Sequence, residues 1–353
     1  MVNKGLYQKY SVFRRWLRKN KNYYFILTKS SFTKTRNKVV YIDLSEVALN
    51  RYLANLVIYF EKSGYTIFIP KNKNLIDELC ATRGEWRYSN LILKCSIKLA
   101  HKEKINGNLR VLRLSNDYYC ENKNSYRLPI GLYPFNYFNN FEEEFEFSPK
   151  RINSLFFSGN IDARFYIKFD SNNRFNIPSR LSTFKSLQKH SRYVKFTKRQ
   201  DLSDYLTSPT NKAIIVIDKS TQFSLPFDDY KRALNAFDFF LALPGVEVPE
   251  SHNLIEAMLH GCIPIIHREY AETLEPVLEN GNNCFIYENL DDLNDVLLKI
   301  FDINNETRAK IRQNVTTYYL NYLSPNSSVD RIMNETFDAI RVQAELISLS
   351  LIR

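Results

Sequence analysis

The chain has 353 residues, 49 of them Lys or Arg and 38 Asp or Glu, with nine glycines where average usage near 7% gives about 25. The nine stand at 5, 64, 84, 107, 131, 159, 245, 261 and 281, never closer than 16 positions, which excludes the dinucleotide fingerprint, the Walker A loop, the kinase glycine loop and the Gly-x-Ser-x-Gly elbow. Residues 1 to 42 hold eleven basic and no acidic residues, leaving 38 of each sign behind them, so the net charge of +11 belongs to one end and the body does not read as a nucleic-acid surface.

At this length two domains are the default. No run of 18 apolar residues marks a membrane span, and no apolar core of a secretory signal opens the chain. Five scattered cysteines suggest neither a disulfide frame nor a zinc site, which fits a reducing cytoplasm. Between residues 5 and 20, Leu6, Tyr10, Phe13 and Leu17 recur at helical spacing with Trp16 beside them. Arg14, Arg15, Arg18, Lys19 and Lys21 supply the opposite side and its border. Two readings stay open: residues 1–22 lie on an anionic membrane surface, or form a terminal helix docked on its own domain.

From residue 38 strands and helices alternate. VVYID (39–43) reads as a buried strand, followed by a helix of roughly eighteen residues on Leu49, Tyr52, Leu53, Leu56, Val57 and Phe60. Gly64 stops it, YTIFI (65–69) is the next strand, and LRVLRL (109–114) another. Residues 128–150 carry three prolines and the run FNNFEEEFEF, which reads as an interdomain connection. A second series begins at INSLFF (152–157), with a helix near 179–190, a strand AIIVID (213–218), a helix at 227–237 and a strand FFLAL (239–243). Helix 252–260, strand 263–267, helix 272–280 and strand 284–287 follow, and helices near 290–301, 304–323 and 327–347 close the chain. The pattern implies two doubly wound α/β domains, residues 1–150 and 151–353.

Ligands of open α/β sheets bind beyond the carboxyl ends of strands. That places the search at Asp43–Ser45, Ser115–Asp117, Ser158–Asn160, Pro244–Asn253 and His267–Glu269. The densest stretch is 239–266, FFLALPGVEVPESHNLIEAMLHGCIPII. A strand ends at Pro244-Gly245, and a loop with Glu247 and Glu250 leads to Ser251 as the N-cap of a helix. The helix N-terminus favours a phosphate. His252 and Glu256 share one face, with Asn253 between them, and a carboxylate one turn in suits ribose hydroxyls.

This segment resembles the C-terminal half of glycosyltransferases of the GT-B fold, most closely the exostosin-like family. The matching residues are Phe239-Phe240, Pro244-Gly245, Ser251-His252, Glu256-Ala257 and Gly261-Cys262-Ile263-Pro264. Phe157-Ser158-Gly159-Asn160, with Arg164 just after, looks like the strand and loop that open the donor domain, and Asp229-Tyr230 through Phe239 like the segment before the donor strand. The resemblance covers roughly residues 150–300; the N-terminal half matches in architecture only.

The resemblance implies two Rossmann-like domains facing a central cleft and a nucleotide-sugar donor held by the second. A sugar passes to a glycan or lipid-linked acceptor, in surface polysaccharide synthesis, on the cytoplasmic side. By position, Glu256 meets the donor ribose, Ser251 and the helix N-terminus the pyrophosphate, and Arg164 the leaving diphosphate. Neither cofactor nor metal is expected, and the chain contains no Asp-x-Asp. Two departures stand out. Retaining GT-B enzymes often carry a second glutamate eight positions earlier, where this chain has Val248 between Glu247 and Glu250; His252 stands where many exostosin-type chains have Arg. A catalytic base for an inverting reaction belongs on the N-terminal side, where Asp43 is best placed and Asp117 second. A non-catalytic partner or binding subunit on the same fold is the rival reading.

Overall fold

A computed structural model describes residues 4–48, 51–80, 89–101, 109–122, 124–139, 141, 151–171 and 174–352. Two compact units emerge from it: Met1–Leu128 with Pro325–Arg353, and Pro129–Ser324. The division falls at 128/129, ahead of the expected 150. It also returns the C-terminal stretch to the first unit.

The first unit opens with helix α1 (Lys4–Phe32), then β1 (Lys38–Ile42), α2 (Arg51–Lys62) and β2 (Tyr65–Pro70). Next come α3 (Lys73–Leu79), α4 (Ser89–Ile92), β3 (Ile97–Ala100), β4 (Val111–Leu112), β5 (Leu114–Ser115) and β6 (Ser125–Arg127). Tyr52, Leu53, Leu56, Val57 and Phe60 of α2 are buried, as their spacing predicts, while Leu49 lies outside the described residues. Gly64 ends the turn after α2 at φ +80, a conformation open to glycine at little cost. The parallel sheet runs β3-β2-β1-β4, the first part of the 3-2-1-4 order of dinucleotide-type domains. Its order reverses between β1 and β4, so the crevice of this unit opens beyond Ile42 and Leu112.

LRVLRL is not one strand. It divides at Arg113, so that β4 pairs with β1 while β5 joins a separate small sheet.

The second unit contains a 3-10 turn (Pro134–Phe138), β7 (Ile152–Gly159), α5 (Ala163–Ser171), α6 (Arg180–Leu187), α7 (Arg199–Thr207) and β8 (Ile214–Asp218). It continues through α8 (Phe227–Ala236), β9 (Phe237–Ala242), α9 (His252–Leu259), β10 (Ile263–His267), α10 (Arg268–Ala271) and β11 (Phe285–Tyr287). Helices α11 (Leu290–Phe301) and α12 (Asn305–Tyr318) and a π turn (Tyr319–Leu323) complete it. All five strands are parallel in the order β11-β10-β9-β7-β8. Numbered within the unit, that is the flavodoxin-like 2-1-3-4-5, whose switch point lies between its first and third strands, here β7 and β9. Both strands are buried on both faces, as a covered parallel sheet requires.

Residues 129–139 and 141 are not a bare connection. The Tyr137 hydroxyl accepts from the Leu132 N–H at 2.9 Å, and the Phe141 ring stands edge-on to His260 at 4.7 Å. The remainder of the acidic run, residues 140 and 142–150, lies outside the described residues. The helix expected at 272–280 is absent: α10 stops at Ala271, and Pro276, which has no N–H to donate, stands in the middle of that span.

Beyond Ser324 the chain forms α13 (Pro325–Asn334), β12 (Ala339–Arg341) and α14 (Leu346–Ser350) instead of one helix over 327–347. β12 is the central strand of a small parallel sheet, β5-β12-β6. Buried Arg341 secures it by donating to the carbonyls of Tyr118, Cys120 and Ser125.

Candidate functional site

The sheet order of the second unit directs attention to the ends of β7 and β9, and one side chain ties both. Arg180, at the start of α6, donates from Nε to the Pro244 carbonyl at 2.7 Å and from Nη1 to the Asn160 carbonyl at 3.3 Å. Its Nη2 donates to the Ser251 hydroxyl at 2.9 Å. The guanidinium lies over the rings of Phe157 and Tyr166, 5.3 and 5.7 Å from their centres. Arg180 is 6% exposed, and among the described residues no carboxylate pairs with it. A buried cation held only by carbonyls, a hydroxyl and aromatic faces leaves a positive potential for an anion.

The glycines at these strand ends are explained by the same packing. A Cβ on Gly159 would meet Arg180 Nη1 at 2.9 Å and the Phe157 ring at 2.6 Å. On Gly245 it would meet the Val248 carbonyl at 2.6 Å, because the loop folds back there and the Gly245 N–H donates to Pro249. Gly261 takes φ +68 in a Schellman ending of α9: Gly261 N–H donates to Met258 and Cys262 N–H to Ala257.

Ser251 occupies the N-cap position of α9 but does not cap it with its side chain. The hydroxyl is engaged by Arg180 and donates to Asn253 Oδ1 at 3.4 Å, while the Ser251 N–H donates to the Tyr270 hydroxyl at 2.8 Å. The first turn of α9 therefore lacks the side-chain acceptor that usually satisfies it. Asn253 reaches the other strand, donating from Nδ2 to the Ser158 carbonyl at 2.9 Å. The buried Ser158 hydroxyl finds no partner among the described residues. Asp218, at the end of β8, holds the loop after β7 by accepting from the Ile161 N–H at 3.0 Å. Burial works upward on its pKa, but bonds from Thr221, Ser220 and Ile161 outweigh that and hold it below the usual value.

Glu256 is buried one turn into α9. Its Oε1 accepts from Asn136 Nδ2 at 2.8 Å and from the Tyr133 N–H at 3.3 Å. Burial raises its pKa; the Tyr133 N–H, the Lys219 charge, Tyr230 and Asn136 pull downward without cancelling it. His252 donates from Nδ1 to the Gly131 carbonyl at 2.8 Å, with the Tyr133 ring edge-on at 5.8 Å. Glu250 is buried and Glu247 exposed.

Arg164 lies apart from this cluster. It is 84% exposed and forms a local ion pair with Asp162, whose pKa it lowers. Of the expected donor residues, Ser158, Gly159, Asn160, Gly245, Ser251 and Asn253 are thus linked through Arg180 and one another, and Glu256 and His252 follow on α9. Arg180, Asn136 and Tyr133 escaped the sequence reading, since spacing alone does not separate one arginine from 48 other basic residues.

In the first unit Asp43 follows β1 at that sheet's own switch point, its N–H donating to the Leu112 carbonyl at 3.0 Å. Its carboxylate closes a tight turn, accepting from the Ser45 hydroxyl at 2.6 Å and N–H at 3.2 Å. Asp117 follows β5, where its N–H donates to Ser115 Oγ at 3.1 Å.

No family model and no curated protein sequence matches the chain. Among solved structures it is similar to a glycosyltransferase from Rickettsia africae, at 11% identity over 84% of this chain and 97% of that one, with a TM-score of 0.40. Anabaena HepE in complex with UDP gives 10% identity, 84% and 98% coverage, and 0.37. TarM gives 10%, 79% and 57%, and 0.35, so the chain spans little more than half of TarM's length.

Proposed function

We propose that the second unit binds a nucleotide-activated sugar at the carboxyl ends of β7 and β9, and that the chain is a metal-independent glycosyltransferase of the exostosin-like, GT-B kind. The supporting observation is the convergence of a buried cation, Arg180, with no carboxylate partner among the described residues, and a helix N-terminus without a side-chain cap, at the switch point of a parallel sheet. A diphosphate placed there gains both interactions. Glu256, one turn farther along α9, is the acceptor for ribose hydroxyls. The sugar passes to a glycan or lipid-linked acceptor, in a cytoplasmic step of surface polysaccharide synthesis. Asp43, at the switch point of the first unit, is the candidate base that takes the acceptor proton; Asp117 is the second.

A thermal-shift panel of nucleotide sugars and free nucleoside diphosphates tests the reading. Stabilisation by at least one of them in the wild type, lost in Glu256→Ala with the fold intact, supports it. No shift with any common donor or nucleotide counts against it.

One observation favours a second reading, a non-catalytic GT-B-like partner subunit. Both key carboxylates are engaged by their own units, Glu256 by Tyr133 and Asn136, and Asp43 by Ser45. Donor binding without turnover across a panel of acceptors would select it.

A further inference from the structure

Helix α1 carries two apolar surfaces, and the fold uses only one. In its second half Asn22, Tyr23 and Ile26 are buried, and the helix packs on α3 and β3. Lys29 fixes this half by donating from Nζ to the carbonyls of Leu93, Lys94 and Cys95 at 2.8, 3.1 and 2.9 Å. The Lys73 ammonium lies over the Tyr23 and Tyr24 rings at 5.3 and 5.1 Å. The first half differs. Val12, Phe13, Trp16 and Leu17 are 67, 55, 57 and 46% exposed, with the Phe13 and Trp16 rings stacked at 6.2 Å. At roughly 100° per residue the mean direction of these four lies about a third of a turn from that of the docked side, with Phe13 and Leu17 farthest from it and Val12 at its border. The two readings of residues 5–20 therefore apply to different parts of one helix: the second half is the docked one, and the first keeps an open apolar face.

Charge decides what covers that face. Residues 4–21 contain seven Lys or Arg and no acid. A second copy of this helix would bring like charges together, so self-association is disfavoured. A nucleic acid would meet the cations but leave the four apolar side chains in water. An anionic bilayer satisfies both, taking aromatic and aliphatic side chains at the acyl boundary and cations among the headgroups. Among the described residues no helix is long and apolar enough to cross a membrane, so the contact is one of surface only.

We propose that the first half of α1 lays Val12, Phe13, Trp16 and Leu17 into the interface of an anionic bilayer, while Lys29 and the Tyr23–Ile26 turn hold the helix to the first unit. The inference rests on α1 alone and stands independently of sugar transfer.

Sedimentation of the full chain with phosphatidylcholine vesicles, with and without phosphatidylglycerol, tests it. Wild type partitions onto the anionic vesicles, less so at high salt, and Phe13→Glu/Leu17→Glu weakens partitioning at least tenfold with an unchanged unfolding midpoint. Because all four side chains are exposed, that midpoint is expected to hold. Trp16→Phe should retain partitioning and lose most of the tryptophan blue shift on vesicle addition. The proposal is overturned by equal partitioning onto neutral vesicles, by wild-type partitioning of the double variant, or by binding to duplex RNA with none to vesicles.

Discussion

The Arg180 guanidinium donates to the Ser251 hydroxyl at 2.9 Å across 71 positions of sequence. The bond joins the start of α6 to the start of α9, and Arg180 reaches the loops after β7 and β9 as well. A single buried charge thus organises the switch point. Arg180→Met should weaken nucleoside diphosphate or inorganic pyrophosphate binding at least about tenfold, or 1.4 kcal/mol, and Arg180→Lys should recover part of it. Calorimetric titration makes the comparison. Equal affinities for wild type and the Met variant would remove Arg180 from the anion site.

Two groups on or beside α9 make stability depend on pH with opposite signs. Burial, helped by Lys231 and Arg151, lowers the pKa of His260 from 6.5 to about 3. The folded chain therefore holds this imidazole neutral where the unfolded chain would protonate it. Its contribution is complete above pH 6.5 and is lost as pH falls toward 3, amounting to about 5 kcal/mol at most. His260→Gln should flatten the acid limb of unfolding free energy against pH. An unchanged limb would show that His260 is hydrated in solution.

Glu256 acts the other way. Its raised pKa means that the folded chain retains the proton longer than the unfolded one. This contribution is full below about 4.5, the ordinary value, and declines as pH rises through the raised folded value. Glu256→Gln should remove the decline, leaving the ligand-free chain at least as stable as wild type near neutrality. Thermal unfolding across pH checks this, and a large loss of stability at every pH would contradict it.

Asp238, at the start of β9, accepts from Arg308 Nε at 2.7 Å and from Arg312 Nη1, both on α12. All three are buried. Asp238→Asn removes the carboxylate charge that both guanidinium groups share and should cost about 3–5 kcal/mol, measured by denaturant unfolding. A loss under 1 kcal/mol would mean that water reaches the cluster.

Much of the second unit was legible because its strands are continuous apolar runs and its helices are punctuated by Gly261, Asn289 and Asn304. These residues make recognisable local bonds, such as the Asn289 side chain accepting from the Asp291 and Asp292 N–H groups. The chain-distant pairings were not legible. β12 is three residues long and is stabilised by strands more than 200 positions away, so its local sequence, AIR, gives no strand signal against a helical background. Arg180 is similar. Its role follows from tertiary convergence, and so does the need for glycine at 159, where Arg180 and the Phe157 ring fill the space of a Cβ. The basic N-terminus was legible as an amphipathic helix, but its division into docked and open halves depends on α3 and β3.

The most direct test of the account is a crystal structure of the full chain with a nucleoside diphosphate or nucleotide sugar. The account predicts the diphosphate at the first turn of α9, within reach of the Ser251–Asn253 backbone, with the ribose hydroxyls on Glu256. Ligand bound elsewhere in the second unit, or contacting neither the start of α9 nor Glu256, would contradict it.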